Sequence, residues 1–300
     1  MHPRVSVVIP TFNRHRYLVQ AIESCLAQTE PVRIVVVDHG SSDNTPEVAI
    51  RFGERIQYVR REFDSGPHFA WLDGCLLAET EFVKLLFDDD TLEPTFVEES
   101  MQLFSPEVGF VFSAVSLINH EGERSGELFG TMFPQSGVFS TRKDRKKVRL
   151  PLISPSAAIF RKEDLVDSLF IHKLPIQNQV YHGVGPDHFV KLLALMRRPS
   201  FGFVGEPLAN FRSHPGSITI SSTAENRNQD LKFAYLDVAN IAGLFLLIDR
   251  LGLVRFLQRV EPLRRLGRKP GKLMARIWRQ VAAHGLVPLR WRARSAIQED

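Results

Sequence analysis

Cysteine is scarce in this chain: Cys25 and Cys75 are the only two in 300 residues. Two thiols build no disulfide framework, and neither has metal-ligand spacing, so a reducing compartment is the simpler reading. Long hydrophobic runs are missing too. The longest mostly apolar stretch, Val238 to Ile248, falls well short of the ~20 residues that span a bilayer. The opening "MHPRVSVVIP" lacks the charged-then-apolar pattern of a secretion signal. Together these absences predict a cytoplasmic protein.

Several nucleotide signatures are also absent. The first apolar run is followed by "TFNRHR" rather than G-x-G-x-x-G, which excludes the dinucleotide fingerprint. No G-x-x-x-x-G-K-[ST] phosphate loop, no H-E-x-x-H and no G-x-S-x-G elbow occurs. The Gly-rich, Arg-containing loop that nucleotidyltransferases place after the first strand is missing as well. There is no internal repeat and no low-complexity tract.

What is present is an alternation. Val5–Pro10, Arg33–Asp38, Ile56–Arg60, Phe82–Phe87 and Val108–Ser116 read as buried strands. Between them, Tyr17–Gln28, the segment from Thr45 to about Phe52, Phe69–Ala78 and Pro94–Phe104 carry helical spacing, with Thr45-Pro46-Glu47 read as an N-cap, a first-turn proline and a first-turn acid. Such alternation predicts a doubly wound, mostly parallel α/β sheet. Further on, "SAAIF" (156–160) looks buried, a helix is expected near Asp187–Met196, and short strands are expected at Phe201–Val204 and Leu208–Arg212.

Ligands in such sheets sit beyond the carboxyl ends of the strands. The residues there are Thr11-Phe12-Asn13-Arg14, Asp38 to Ser41, Arg61 to Gly66, and Asp88 to Asp90. Three adjacent carboxylates raise one another's cost of ionisation, so a positive partner is implied. A hard divalent cation, Mn²⁺ or Mg²⁺, fits, because it takes one or two carboxylates and completes its shell with substrate phosphates. An exposed acidic turn capping the next helix is the plain alternative.

Four stretches, "VSVVIPTFNRHRYLVQAIESCLAQT", "IVVVDHGSSDNT", "FDSGPHFAWLDGCLLAETEFVKLLFDDDTLEP" and "FRSHPGSIT", together resemble a family 2 glycosyltransferase of the GT-A fold over roughly residues 4 to 220. The resemblance implies a nucleoside-diphosphate sugar donor, inversion at the anomeric carbon and a glycan or lipid-linked acceptor, as in bacterial cell-surface polysaccharide assembly. It implies that Pro10, Thr11 and Asn13 line the nucleotide pocket and that Asp38 pairs with the base. It places Asp64 and Gly66 in the loop over the nucleoside, Asp88 near the ribose, and Asp89 in the variable middle position. Asp90 would hold the metal, with His214 close to it or to the phosphates. Asp187 stands where the catalytic base is expected, although it could serve only as a helix cap. His39 replaces a common second Asp, Pro186 a Glu, and Asp73 an Asn. A non-catalytic nucleotide-sugar or glycan binder on the same fold is the competing class.

The charge is uneven. Between Arg250 and Arg294 stand 13 Lys/Arg and one acid, within a total of 38 basic and 34 acidic residues. The chain is therefore divided into a GT-A domain, residues 1–223, and a basic helical extension, 224–300. Basic and apolar residues interleaved at near-helical spacing suit an interfacial helix on an anionic membrane, while no motif points to nucleic acid. The packed alternative leaves that basic face merely solvated. Full-length protein is expected to co-sediment with anionic but not neutral liposomes, and a chain ending near Asp249 is expected to lose this. Equal sedimentation of the two chains would rule the membrane reading out.

Overall fold

Buried β-branched runs dictate where the sheet starts. A computed structural model describes residues 2–131, 133–141, 154–169 and 186–214. In chain order the elements are β1 (Val5–Thr11), α1 (His15–Leu26), β2 (Val32–His39), α2 (Thr45–Phe52), β3 (Gln57–Arg61), α3 (Pro67–Leu77), β4 (Phe82–Leu85), β5 (Thr91–Leu92) and α4 (Phe96–Gln102). They continue with β6 (Val108–Ile118), β7 (Arg124–Phe129), β8 (Gly137–Ser140), β9 (Ala158–Arg161), α5 (Lys162–Ser168), α6 (Pro186–Arg197) and β10 (Ser200–Arg212). The basic stretch "RKDRKKVR" (142–149) and the extension 224–300 lie outside the described residues. Among the described residues no helix is long and apolar enough to cross a membrane.

The strands form one sheet in the order β3-β2-β1-β4-β9-β6-β10-β5, with β7 added to β6 and β8 to β10. The β3-β2-β1-β4 half is parallel throughout. This is the half whose alternation is legible in sequence, and its boundaries differ from expectation by only a few residues. The other half differs more. The "SAAIF" run folds as a 3₁₀ turn, Pro155–Ala157, leading into β9. That strand inserts antiparallel between β4 and β6, so Val108–Ser116 does not follow β4 in the sheet. The two short strands expected after Phe201 are a single β10, whose register against β6 shifts on both sides of Pro207. Proline has no N–H to give to a ladder, and a bulge absorbs that loss without ending the strand. At α2, Asn44 rather than Thr45 is the N-cap, with no side-chain cap bond, and the amide of Thr45, the first helical residue, donates to Asp43 Oδ1 at 3.0 Å.

Aromatic side chains fill the second half of the core. Phe110, Phe112, Phe160, Phe201 and Phe203 are all fully buried, and the Phe110 and Phe201 rings stack at 5.6 Å. On the other side α3 lies directly over β1 and β2. A Cβ at Gly74 would fall 2.1 Å from Val8 Cγ1 and 3.2 Å from Val37 Cγ2. Both valines are buried in paired strands, so neither can yield cheaply. Gly74→Ala is expected to destabilise the protein by about 1–3 kcal/mol through overpacking, measured by urea unfolding; an unchanged midpoint would contradict this packing.

Candidate active site at the carboxyl edge of the sheet

β4 ends at Leu85, and the chain then turns back, with the Asp90 amide donating to the Phe87 carbonyl at 3.0 Å. That turn places Asp88, Asp89 and Asp90 beyond the strand end, and all three are buried. Each carboxylate is held differently. Asp88 accepts from the Thr11 hydroxyl at 2.8 Å and from Arg14 Nη1 at 3.0 Å. Asp89 Oδ2 receives the same Arg14 Nη1 at 2.6 Å and lies 3.0 Å from His214 Nε2. Asp90 turns inward. Its Oδ1 accepts from the Arg212 amide at 3.1 Å.

These surroundings separate the three acids. Burial, reinforced by the Asp89 charge, pushes Asp90 up to about 8, against Ser156, the Arg212 amide and Lys84. Burial also pushes Asp88 up to about 6, with Arg14 opposing and Asp89 adding. It works against ionised Asp89 too, but there the His214 hydrogen bond and the Arg14 charge prevail and hold the carboxyl below the usual range. Asp89 is thus the firmly ionised member and Asp90 the one that keeps a proton.

The loops after β1 and β2 are knitted together. Asn13 adopts a left-handed backbone, φ 55°, and its Oδ1 accepts from the Ser42 amide at 2.8 Å and the Asp43 amide at 3.3 Å. Its own amide donates to Ser41 Oγ at 2.9 Å. Pro10 is half-buried and Thr11 buried at the end of β1. Asp38 is fully buried, and its two oxygens accept from the Ser41 amide at 2.8 Å and the Tyr58 hydroxyl at 2.6 Å. Both of its oxygens are thus engaged within the protein. His39 beside it is also buried, neither ring nitrogen has a hydrogen-bond partner among the described residues, and Nε2 lies 3.5 Å from Asp73. Asp64 is exposed and accepts from the Gly66 amide at 2.8 Å. Gly66 has φ 95° and precedes Pro67 at the start of α3.

Asp187 lies half-buried in the first turn of α6. One turn further on, burial draws the Lys191 ammonium down to about 8, with Asp187 opposing.

Two residues central to this geometry, Arg212 and Lys84, are not singled out from the sequence, although Arg212 lies within the "FRSHPGSIT" stretch. Arg212 donates through Nε to the Asp89 carbonyl at 2.8 Å and through Nη1 to the Asn119 carbonyl at 3.0 Å. Nη2 reaches Gln20 Oε1 at 2.7 Å, and the guanidinium lies 5.0 Å from the Tyr17 ring centre. Lys84, fully buried in β4, donates to the Leu85 carbonyl at 3.1 Å and to the Ser156 carbonyl. Burial draws its ammonium down to about 7 against the pull of Asp90. The only sequence signal for Lys84 is a charged residue inside an apolar strand.

Among the described residues no three His, Cys, Asp or Glu side chains form a closed metal cage. Asp89 and His214 do meet, at the most exposed of the three acids. A carboxylate and an imidazole suit a divalent ion whose other ligands come from phosphate and water. Asp90, expected to hold the metal with His214 near it or the phosphates, has Oδ1 on the Arg212 amide, while His214 lies against Asp89.

A twisted sheet of this order, with paired loops and a carboxylate cluster at its carboxyl edge, defines a GT-A glycosyltransferase. The sequence profile of the family described as Glycosyl transferase family 2 matches residues 6–168, and the chain belongs to that family. It is 35% identical over 133 residues to the GalNAc(5)-diNAcBac-PP-undecaprenol beta-1,3-glucosyltransferase of Campylobacter jejuni, a match covering 43% of each chain. Against other curated relatives it spans as little as 21% of their length. Among solved structures it is similar to S. aureus TarS 1–349 with UDP-GlcNAc (TM-score 0.58, 19% identity, 73% of this chain and 61% of that one). It is also similar to the mannosyltransferase PcManGT of Pyrobaculum calidifontis with GDP-Man and Mn²⁺ (TM-score 0.53, 18% identity, 99% and 84%).

The Asp90 shift fixes the sign of a pH effect. A carboxyl titrating near 3.8 when unfolded and at about 8 when folded gives the folded state the extra proton between those values. Stability then falls as pH rises through that window, with Asp88 contributing below about 6. Metal-free protein is expected to lose stability from pH 5 to pH 7 in urea titrations, and Asp90→Asn to flatten that slope. An equal slope in the variant would refute the assignment.

Proposed function

We propose that the protein is an inverting glycosyltransferase that moves a hexosyl group from a nucleoside-diphosphate sugar to an acceptor hydroxyl in bacterial cell-surface polysaccharide assembly. The observation that carries this reading is the meeting of Thr11, Arg14, Asp88, Asp89 and His214 at the ligand edge of a family 2 sheet. The named ligands of TarS and PcManGT, UDP-GlcNAc in one and GDP-Man with Mn²⁺ in the other, support a nucleotide-sugar donor.

In this reading Asp89 and His214 hold the divalent cation, and Asp90 buttresses them from below. The cation would act as a Lewis acid that neutralises the departing diphosphate. Pro10, Thr11, Asn13, Asp64 and Gly66 border the nucleoside. Asp38 acts at one remove, fixing Tyr58 and Ser41, and Asp88 anchors Thr11 beside the ribose. Asp187 takes the proton from the acceptor hydroxyl as its oxygen attacks the anomeric carbon from the face opposite the leaving group. The basic extension is proposed to keep the enzyme at the inner face of the membrane, where a lipid-linked acceptor would lie.

The test has two parts. UDP or GDP with Mn²⁺ is expected to raise the melting temperature of the wild type, and EDTA or Asp89→Ala to abolish that rise. Asp187→Asn is expected to keep the rise and to lower donor turnover by about 10² or more. Full activity in excess EDTA would remove the metal from the mechanism. Turnover near wild type in Asp187→Asn would leave that residue as a helix cap and put the base elsewhere.

A further inference from the structure

The carboxylate cluster has a positive partner within the chain itself. Arg14, in the turn between β1 and α1, places a single nitrogen, Nη1, 3.0 Å from Asp88 Oδ1 and 2.6 Å from Asp89 Oδ2. Asp89 Oδ2 is also the atom that meets His214 Nε2 at 3.0 Å. The oxygen best placed to share a cation with His214 is therefore covered by a guanidinium. We propose that Arg14 is a displaceable counter-ion of this cluster, which competes with the divalent cation for Asp89 until a nucleoside diphosphate arrives. The proposal rests on the donor and metal reading above.

Two observations support displacement over a fixed clamp. The first is exposure. The Arg14 side chain is 26% exposed, whereas Asp88 and Asp89 beneath it are 6% and 11% exposed, so the guanidinium lies between the acids and solvent. The second is charge. A dication and a guanidinium on one carboxylate oxygen repel strongly at this depth, so the two exclude each other unless one moves.

A diphosphate resolves the competition. It offers the guanidinium an oxyanion partner of the kind for which arginine is best suited, and it brings additional ligands for the cation. The cation and the nucleotide then bind together, and neither occupies the site well alone. Until then Arg14 keeps the ionised Asp88 and Asp89 from facing each other without compensation. Sequence spacing alone could not reveal this, because Arg14 lies 74 positions from Asp88.

The test is Mn²⁺ binding to the full-length, nucleotide-free protein, followed by the electron paramagnetic resonance signal of free Mn²⁺. Arg14→Gln is expected to bind Mn²⁺ at least about ten-fold more tightly than the wild type. Arg14→Lys, which keeps the charge, is expected to stay near the wild type, and adding Asp89→Asn to Arg14→Gln to remove the gain. UDP or GDP is expected to tighten Mn²⁺ binding more in the wild type than in Arg14→Gln. Should Arg14→Gln not fold, the double variant Arg14→Gln/Asp88→Asn reads the same competition, since it removes the guanidinium together with the acid it would orphan. If the wild type binds Mn²⁺ in the presence of UDP or GDP but the Arg14 variants bind it no tighter without nucleotide, Arg14 is a structural clamp and only this proposal falls. If no variant binds Mn²⁺ with either nucleotide, the metal reading fails and takes the proposal with it.

Discussion

Three adjacent buried carboxylates cannot be tolerated unless each is given its own compensation, and most of the ligand edge can be understood as the means of doing so. Asp88 is tied to β1 through Thr11, Asp89 to the loop ahead of α1 and the end of β10 through Arg14 and His214, and Asp90 to the Arg212 amide. The partners come from segments distant in sequence, so the cluster exists only in the folded chain. Burial supplies the tension and the different partners resolve it unequally, leaving one acid firmly ionised and another holding a proton.

Arg212 converts that local compensation into a fixed architecture. One side chain joins the acid turn, the end of β6 and helix α1, and its own amide reaches Asp90. Tyr17 lies against both Arg212 and His214, the latter at 4.8 Å between ring centres. Below the turn, Lys84 and Ser156 bind β4 to the 3₁₀ turn before β9. The turn that leads into the inserted antiparallel strand thus reaches the acid turn: its Ser156 Oγ accepts from the Phe87 amide at 3.2 Å. The ligand edge is held by Arg212 on backbone carbonyls and closed by the partly exposed guanidinium of Arg14.

Much of this was legible in advance, for a reason that depends on the segment. Each strand of the β3-β2-β1-β4 half is a buried run bounded by turn residues, and its neighbours follow at helical spacing, so local pattern sufficed. The β9 insertion was not legible, because an antiparallel strand entering from more than 70 residues away leaves no periodic trace in its neighbours. β10 read as two strands because Pro207 interrupts the pattern, although the bulges allow pairing to continue. The acid cluster was conspicuous as composition. The contacts within it were not, since the meeting of Asp89 with His214 joins residues 125 positions apart.

The order of residues by itself determined the class of sheet, the edge at which a ligand must lie, the acidic character of that edge and the family to which the chain belongs. These depend on hydrophobic period and on short motifs, both of which are local properties. Tertiary structure alone decided which carboxylate keeps its charge, that both oxygens of Asp38 are engaged within the protein, and that Arg14 covers the cluster. A carboxylate's state depends on burial and on the charges within a few ångströms of it, and those neighbours are set by how distant segments pack.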